Sequence, residues 1–189
     1  MPSETKIIIG MPTYGKMTSH TTFSLVNTIM NCKLVQEFMI YESCDIVTSR
    51  TWLVNEAVKR GATHLLFVDS DMVFQPGSLE KLLASKKEVI GVKYHQRGFP
   101  LAWTHGELKD VAESETEIYK VRYAGTGFLL IDLSIIPKLE GAWFSFGRDS
   151  QGKMIVGEDV WFCDKAREAG IDTWIDPTVK VGHRGEYTY

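Results

Sequence analysis

Apolar positions along this chain follow two periods, and the points where the period changes mark its elements. Residues 6–10, centred on Ile7-Ile8-Ile9, read as a buried strand. Met11-Pro12-Thr13-Tyr14-Gly15 reads as a loop, because Pro and Gly interrupt both the extended and the helical pattern. Thr21 or Thr22 is placed to cap a helix running to about Asn31, and residues 33–41 form a second strand-like run. Asp45 then opens a clear helix over residues 46–60, with Ile46, Val47, Leu53, Val54, Ala57 and Val58 on one face and Gly61 at the place of a left-handed stop.

His64-Leu65-Leu66-Phe67-Val68 is apolar without alternation, as expected of a strand covered on both faces, and it ends on Asp69-Ser70-Asp71. A helix near residues 78–85 and strands over residues 88–93 and 127–132 follow. Between them, residues 98–123 read as a meander or hairpins, with the charged stretch 107–117 as an exposed loop. A last helix over residues 158–169 is stopped by Gly170, Thr173-Trp174-Ile175 forms a short strand, and the chain ends in a polar tail containing His183. This alternation predicts an α/β fold with a mostly parallel central sheet flanked by helices.

Composition narrows the picture. A chain of 189 residues, 44% hydrophobic and without repeats or linkers, is expected to form a single domain over residues 1–189. The longest apolar runs, residues 65–68 and 128–131, fall far short of the roughly 20 residues of a membrane helix, and the polar start lacks a secretory pattern, so a cytoplasmic protein is expected. A net charge of −3 excludes a generally basic nucleic-acid coat, so any polyanion must be met by a few local groups. Cys32, Cys44 and Cys163 are odd in number and lie in no C-x-x-C pair, which reads as reduced and mostly buried.

Five features can carry chemistry. Asp69 and Asp71, one residue apart after a buried strand, would project to the same side of extended backbone and hold a cation; the same residues also suit a simple turn. Asp159, after Gly157-Glu158, lies in line with Phe162, Cys163 and Ala166, which fits a general base facing a cleft or an acid complementing a helix dipole. His183 is either a surface histidine or the nitrogen donor that completes a coordination sphere begun by the aspartates. Arg50 falls within the apolar stripe of its helix, so it needs Asp69 or a ligand phosphate as partner. Gly125-Thr126-Gly127 permits either a bulge or close backbone approach to a ligand.

In order and spacing, several segments together resemble a small GT-A glycosyltransferase of the family-2-like group. They are the Pro12-Thr13-Tyr14 loop, Ser49-Arg50-Thr51-Trp52-Leu53-Val54, the Asp69-Ser70-Asp71 motif after its strand, Gly125-Thr126-Gly127-Phe128, Gly157-Glu158-Asp159-Val160-Trp161 and Gly182-His183. The resemblance covers nearly the whole chain. It implies the GT-A fold, a Rossmann-like arrangement for nucleotide-diphospho-sugar transfer, with Mn²⁺ or Mg²⁺ bridging the donor diphosphate. Pro12, Thr13 and Tyr14 would meet the base and ribose, with Ser70 counted in the same nucleotide-binding set. Arg50 would lie beside the nucleotide or diphosphate, and Gly127 would border the sugar. Asp71 and His183 would ligate the metal, with Asp69 on the ribose, a metal-bound water or the metal itself. Asp159 would be the base of an inverting transfer, supported by Glu158.

The Gln-x-x-Arg-Trp motif of processive synthases is absent, so a single addition is expected. A metal-dependent nucleotidyltransferase and a non-catalytic nucleotide-sugar-binding module are the alternatives. The acceptor stays open among saccharide, lipid, protein and modified nucleic acid. Its pocket is expected in residues 93–103 and 140–157, with Trp103, Trp143 and Phe146 as stacking surfaces. A chain this short can also borrow surface from a second copy as a homo-oligomer.

Overall fold

The computed structural model describes residues 4–96, 99–108 and 111–184, with the side chains of 96 and 99–103 excepted. In chain order the elements are β1 (Ile7–Thr13), α1 (Ser19–Asn31), β2 (Val35–Glu42), α2 (Ile46–Lys59), β3 (His64–Val68), β4 (Met72–Phe74), α3 (Ser78–Ala84) and β5 (Val89–Val92). Then come β6 (His95–Gln96), β7 (Phe99–Trp103), β8 (His105–Gly106), β9 (Tyr119–Val121), β10 (Tyr123–Ala124), β11 (Phe128–Asp132) and a 3₁₀ helix, Leu133–Lys138. The chain finishes with β12 (Gly147–Arg148), β13 (Met154–Val156), α4 (Glu158–Glu168), β14 (Thr173–Asp176) and β15 (Val181–His183).

Seven strands form the main sheet in the order β2-β1-β3-β11-β5-β14-β9. Five run one way, while β11, between β3 and β5, and β9, at the edge, run the other. The reversal has a topological cause. Parallel neighbours need a crossover, usually helical, and the connection from β5 to β11 contains only short strands, so the chain re-enters the sheet from the same end at which β5 left it and β11 runs antiparallel. Period two then sorts the core into two layers. Ile8, Leu65, Phe67, Leu129 and Ile131 face α2 and α4, whereas Ile7, Ile9, Leu66, Val68, Phe128 and Leu130 face the side of α1 and α3.

Several expectations are corrected. β1 continues through Pro12 to Thr13, where a loop was expected. Its pairing with β3 ends at Gly10↔Phe67 while that with β2 runs on to Thr13↔Glu42, so Pro12 sits where the strand has one neighbour only. Thr18, not Thr21 or Thr22, caps α1, accepting a hydrogen bond from the Thr21 N–H at 3.1 Å. That helix buries Thr21, Ser24 and Thr28 beside Leu25. Ser24 accepts the Phe74 N–H at 3.1 Å, which compensates a buried hydroxyl.

In α2, Asp45 is the cap, accepting from Val47, but Val58 is exposed and the buried face is Ser49, Arg50, Leu53, Val54 and Ala57. Gly61 and Gly170 take left-handed φ values of 72° and 78° after their helices. The charged stretch 107–117 is an exposed loop where it is described, as expected, and Glu113 and Glu115 on it both pair with Lys93. The supposed polar tail includes β15, which pairs with β4 through His183↔Met72. Cys32 and Cys163 are buried, Cys44 is exposed, and all three are free thiols.

Candidate active site

The carboxyl ends of β1 and β3 reach the same edge of the sheet, and β3 delivers Asp69 there. The Asp69 carbonyl accepts the Met72 N–H at 3.2 Å, so the motif is a turn. The same-side argument for extended backbone therefore fails, and the two carboxylates diverge to different partners. Asp69 meets Arg50 at 3.1 Å, and Asp71 meets His183 at 3.2 Å.

Arg50 reaches this edge from inside the core. Its side chain is 3% exposed, with its guanidinium over the Phe67 ring, and it bonds Asp69 through Nη2 and Glu158 through Nε at 3.4 Å. Burial alone would disfavour its charge, but Asp69 and Glu158 outweigh that and hold its pKa above the ordinary value. The third nitrogen, Nη1, is buried and makes no hydrogen bond. An unpaired buried donor is costly, so Nη1 is the one guanidinium nitrogen still lacking an acceptor.

Asp159 follows Gly157 in the first turn of α4, where Gly157 leaves room: a Cβ there would stand 2.8 Å from Asp159 Oδ1. Asp159 Oδ1 accepts the Val160 N–H at 2.7 Å. Burial first, and the neighbouring Glu158 charge second, push the Asp159 carboxyl above the usual carboxylate range.

The two chain regions that carry Asp71 and His183 meet through β15 and β4, and the Arg184 N–H donates to the Asp71 carbonyl at 2.9 Å. A carbonyl only accepts, so His183 must donate from Nδ1 to the His95 carbonyl at 3.0 Å. Its Nε2 edge then faces Asp71 Oδ2 at 3.2 Å. Cis donors on an octahedral Mg²⁺-like ion at about 2.1 Å stand about 3 Å apart, close to this separation. Among the described residues no three His, Cys, Asp or Glu side chains gather as a metal cage. Two protein donors fit a cation that shares its other positions with water and substrate phosphate.

Arg50, Asp69, Tyr94, Thr104, Gly125, Thr126, Gly127, Glu158, Asp159 and His183 line one open cleft of about 330 Å³. Of the residues expected at the site, Pro12, Thr13, Tyr14, Ser70 and Asp71 do not line it. Asp71 is buried behind His183, Tyr14 is 70% exposed, and Thr13 Oγ1 turns back to the Lys16 carbonyl at 3.0 Å. The Ser70 carbonyl anchors the start of α1 by accepting the Thr18 N–H. In the stretch 140–157, Phe144 is core, Trp143 and Phe146 are half-buried, and Trp103's side chain lies outside the described residues.

Tyr94 and Thr104 are the residues that the pattern of types did not reveal. Tyr94 Oη accepts the Gly127 N–H at 2.9 Å. A Cβ on Gly127 would approach Tyr94 Oη to 2.6 Å and Asp69 Oδ2 to 3.1 Å, and one on Gly125 would approach Tyr94 Oη equally. The glycine pair thus admits a tyrosine hydroxyl. Only the position of Tyr94, two residues beyond the buried β5 at the cleft edge, hinted at it.

No protein-family model and no curated protein sequence matches this chain. Its fold is GT-A-like. The solved structures it is similar to include A197 from STIV, with a TM-score of 0.70 and 18% identity over 96% of this chain and 86% of that one, and GalNAc-T7 with UDP, GalNAc and Mn²⁺, with a TM-score of 0.62 and 11% identity over 97% of this chain. The chain spans 44% of the length of the latter. No helix among the described residues is long and apolar enough to cross a membrane.

Proposed function

We propose that this chain is a divalent-cation-dependent, family-2-like glycosyltransferase that moves one sugar from a nucleotide diphosphate to an acceptor hydroxyl with inversion. The observation that carries this reading is the meeting of Asp71 and His183, 112 residues apart in sequence and 3.2 Å apart in space, beside a cleft lined by Arg50 and Asp159. The UDP and Mn²⁺ bound in the GalNAc-T7 structure lend support to a nucleotide-diphosphate donor and to Mn²⁺ or Mg²⁺ as the ion.

In this reading Asp71 and His183 hold the cation, which when bound neutralises charge on the leaving diphosphate. Arg50 stays charged beside the same phosphates and offers Nη1, while Asp69 keeps the guanidinium in place. Pro12, Thr13, Tyr14 and Ser70 lie on the nucleotide side, and Gly127 borders the sugar. Asp159 accepts the acceptor's proton as its oxygen attacks. Its raised pKa brings it nearer to neutrality, where a base is more effective, and Glu158 sustains that shift. The transfer is non-processive and takes place in the cytoplasm.

Thermal unfolding with UDP and Mn²⁺, each alone and together, tests this. UDP is expected to raise the melting temperature only with the metal present, by linkage of binding to folding. Asp71→Asn and His183→Gln are each expected to abolish that dependence. A metal-independent UDP shift that survives both substitutions would overturn the site assignment, and release of pyrophosphate from a nucleoside triphosphate would favour a nucleotidyltransferase. Asp159→Asn is expected to lose turnover while keeping donor affinity; a variant that still turns over removes Asp159 as the base.

A further inference from the structure

The segment from Lys93 to His105 leaves the end of β5, forms the β6–β7 hairpin and returns into β8. Its neck is closed by Thr104, whose N–H and Oγ1 both donate to the Tyr94 carbonyl at 3.1 and 3.0 Å. Three cleft features hang from this neck. They are the Tyr94 hydroxyl on the Gly127 N–H, the His95 carbonyl on His183 Nδ1, and Thr104 in the cleft wall.

Just outside the neck, the residues on its two legs turn to one carboxylate. Lys93 Nζ reaches Glu113 Oε2 at 2.9 Å, and His105 Nε2 donates to Glu113 Oε1 at 2.8 Å. The His105 side chain is 1% exposed, that of Lys93 11% and that of Glu113 26%, so the bond to His105 is partly shielded from water while that to Lys93 lies nearer the surface, and both are charge-assisted. Glu115 also contacts Lys93, at 2.8 Å, but its side chain is 71% exposed and it touches one leg.

We propose that Glu113 is a positioning residue, the carboxylate that locks the two legs together and so sets where Tyr94, the His95 carbonyl and Thr104 stand in the cleft. The geometry at Gly127 does not depend on what the cleft binds. The link onward through His183 to a cation rests on the reading under Proposed function.

Amide hydrogen exchange on the full chain tests the lock, comparing Glu113→Gln and Glu115→Gln with the unsubstituted protein. The Gly127 amide of Glu113→Gln is expected to exchange about tenfold faster than any acceleration at Leu130 in β11, the size of one lost charge-assisted hydrogen bond. Glu115→Gln is expected to match the unsubstituted protein. Equal acceleration at Gly127 and Leu130, or none at Gly127, overturns the proposal. If Glu113→Gln does not fold, Glu113→Asp, which keeps the charge but is too short to span both legs, carries the same comparison. In parallel, Mn²⁺ titration by water-proton relaxation is expected to show about tenfold weaker binding in Glu113→Gln, as for loss of support behind a metal ligand. An unsubstituted protein that binds no Mn²⁺ sinks the metal reading and leaves the exchange result to decide on Glu113.

Discussion

The two sides of the cleft are built differently. On one side Arg50, Asp69, Glu158 and Asp159 come from α2, the end of β3 and α4, elements packed into a continuous core, and the almost wholly enclosed Arg50 guanidinium holds Asp69 and Glu158. On the other side His183 and the His95 carbonyl come from strands of three and two residues outside the main sheet, and Asp71 from the turn before β4, joined by hydrogen bonds between distant chain segments. The contrast separates rigidity from adjustability. The core side fixes a charge pattern as part of folding, whereas the marginal side is held by a few polar contacts that a bound ion would reinforce.

The comparison can be broken most severely at Arg50. Arg50→Met is expected to cost about 3 kcal/mol, the lower end for breaking a buried ion pair, because Asp69 remains one-third exposed. Chemical denaturation measures this, and a loss below the size of a surface pair would mean that the core side is not structurally integrated. Gly127→Ala comes next, at about 2 kcal/mol for overpacking against Tyr94 Oη and Asp69. An unchanged unfolding midpoint there would show that the marginal side simply moves away.

Asp159→Asn is expected to have the smallest effect on stability and the opposite sign. A carboxyl with a raised pKa contributes its full stability below the ordinary carboxylate value and loses it as pH rises through the raised one. The asparagine variant is therefore expected to melt higher than the unsubstituted protein at neutral pH and equally in acid. A gain that persists in acid would point to a cause other than ionisation of Asp159.

Much of the frame was legible because local rules agree with the tertiary result. β3 shows its double burial in an unbroken apolar run, α2 shows its start in Asp45, and α4 carries Glu158 and Asp159 into its first turn. Arg50 was legible as a charge in an apolar stripe, though its pairing with both Asp69 and Glu158 was not. The reversal of β11 left no local trace, since a buried strand has the same composition in either direction. β4, β12 and β13 were missed because three residues or fewer cannot display a period.

The sequence alone thus determined most of the apolar interior, that the main helices and long strands exist and roughly where, and which side chains carry enough charge to need a partner. All of these depend on neighbours within a few positions. The tertiary structure alone decided that Asp71 faces His183, that Tyr94 occupies the space left by two glycines, and that Glu113 binds two legs of a hairpin. Those contacts join groups whose chain separation is set by loop closure and sheet order, and neither is written in the local alternation of polar and apolar residues.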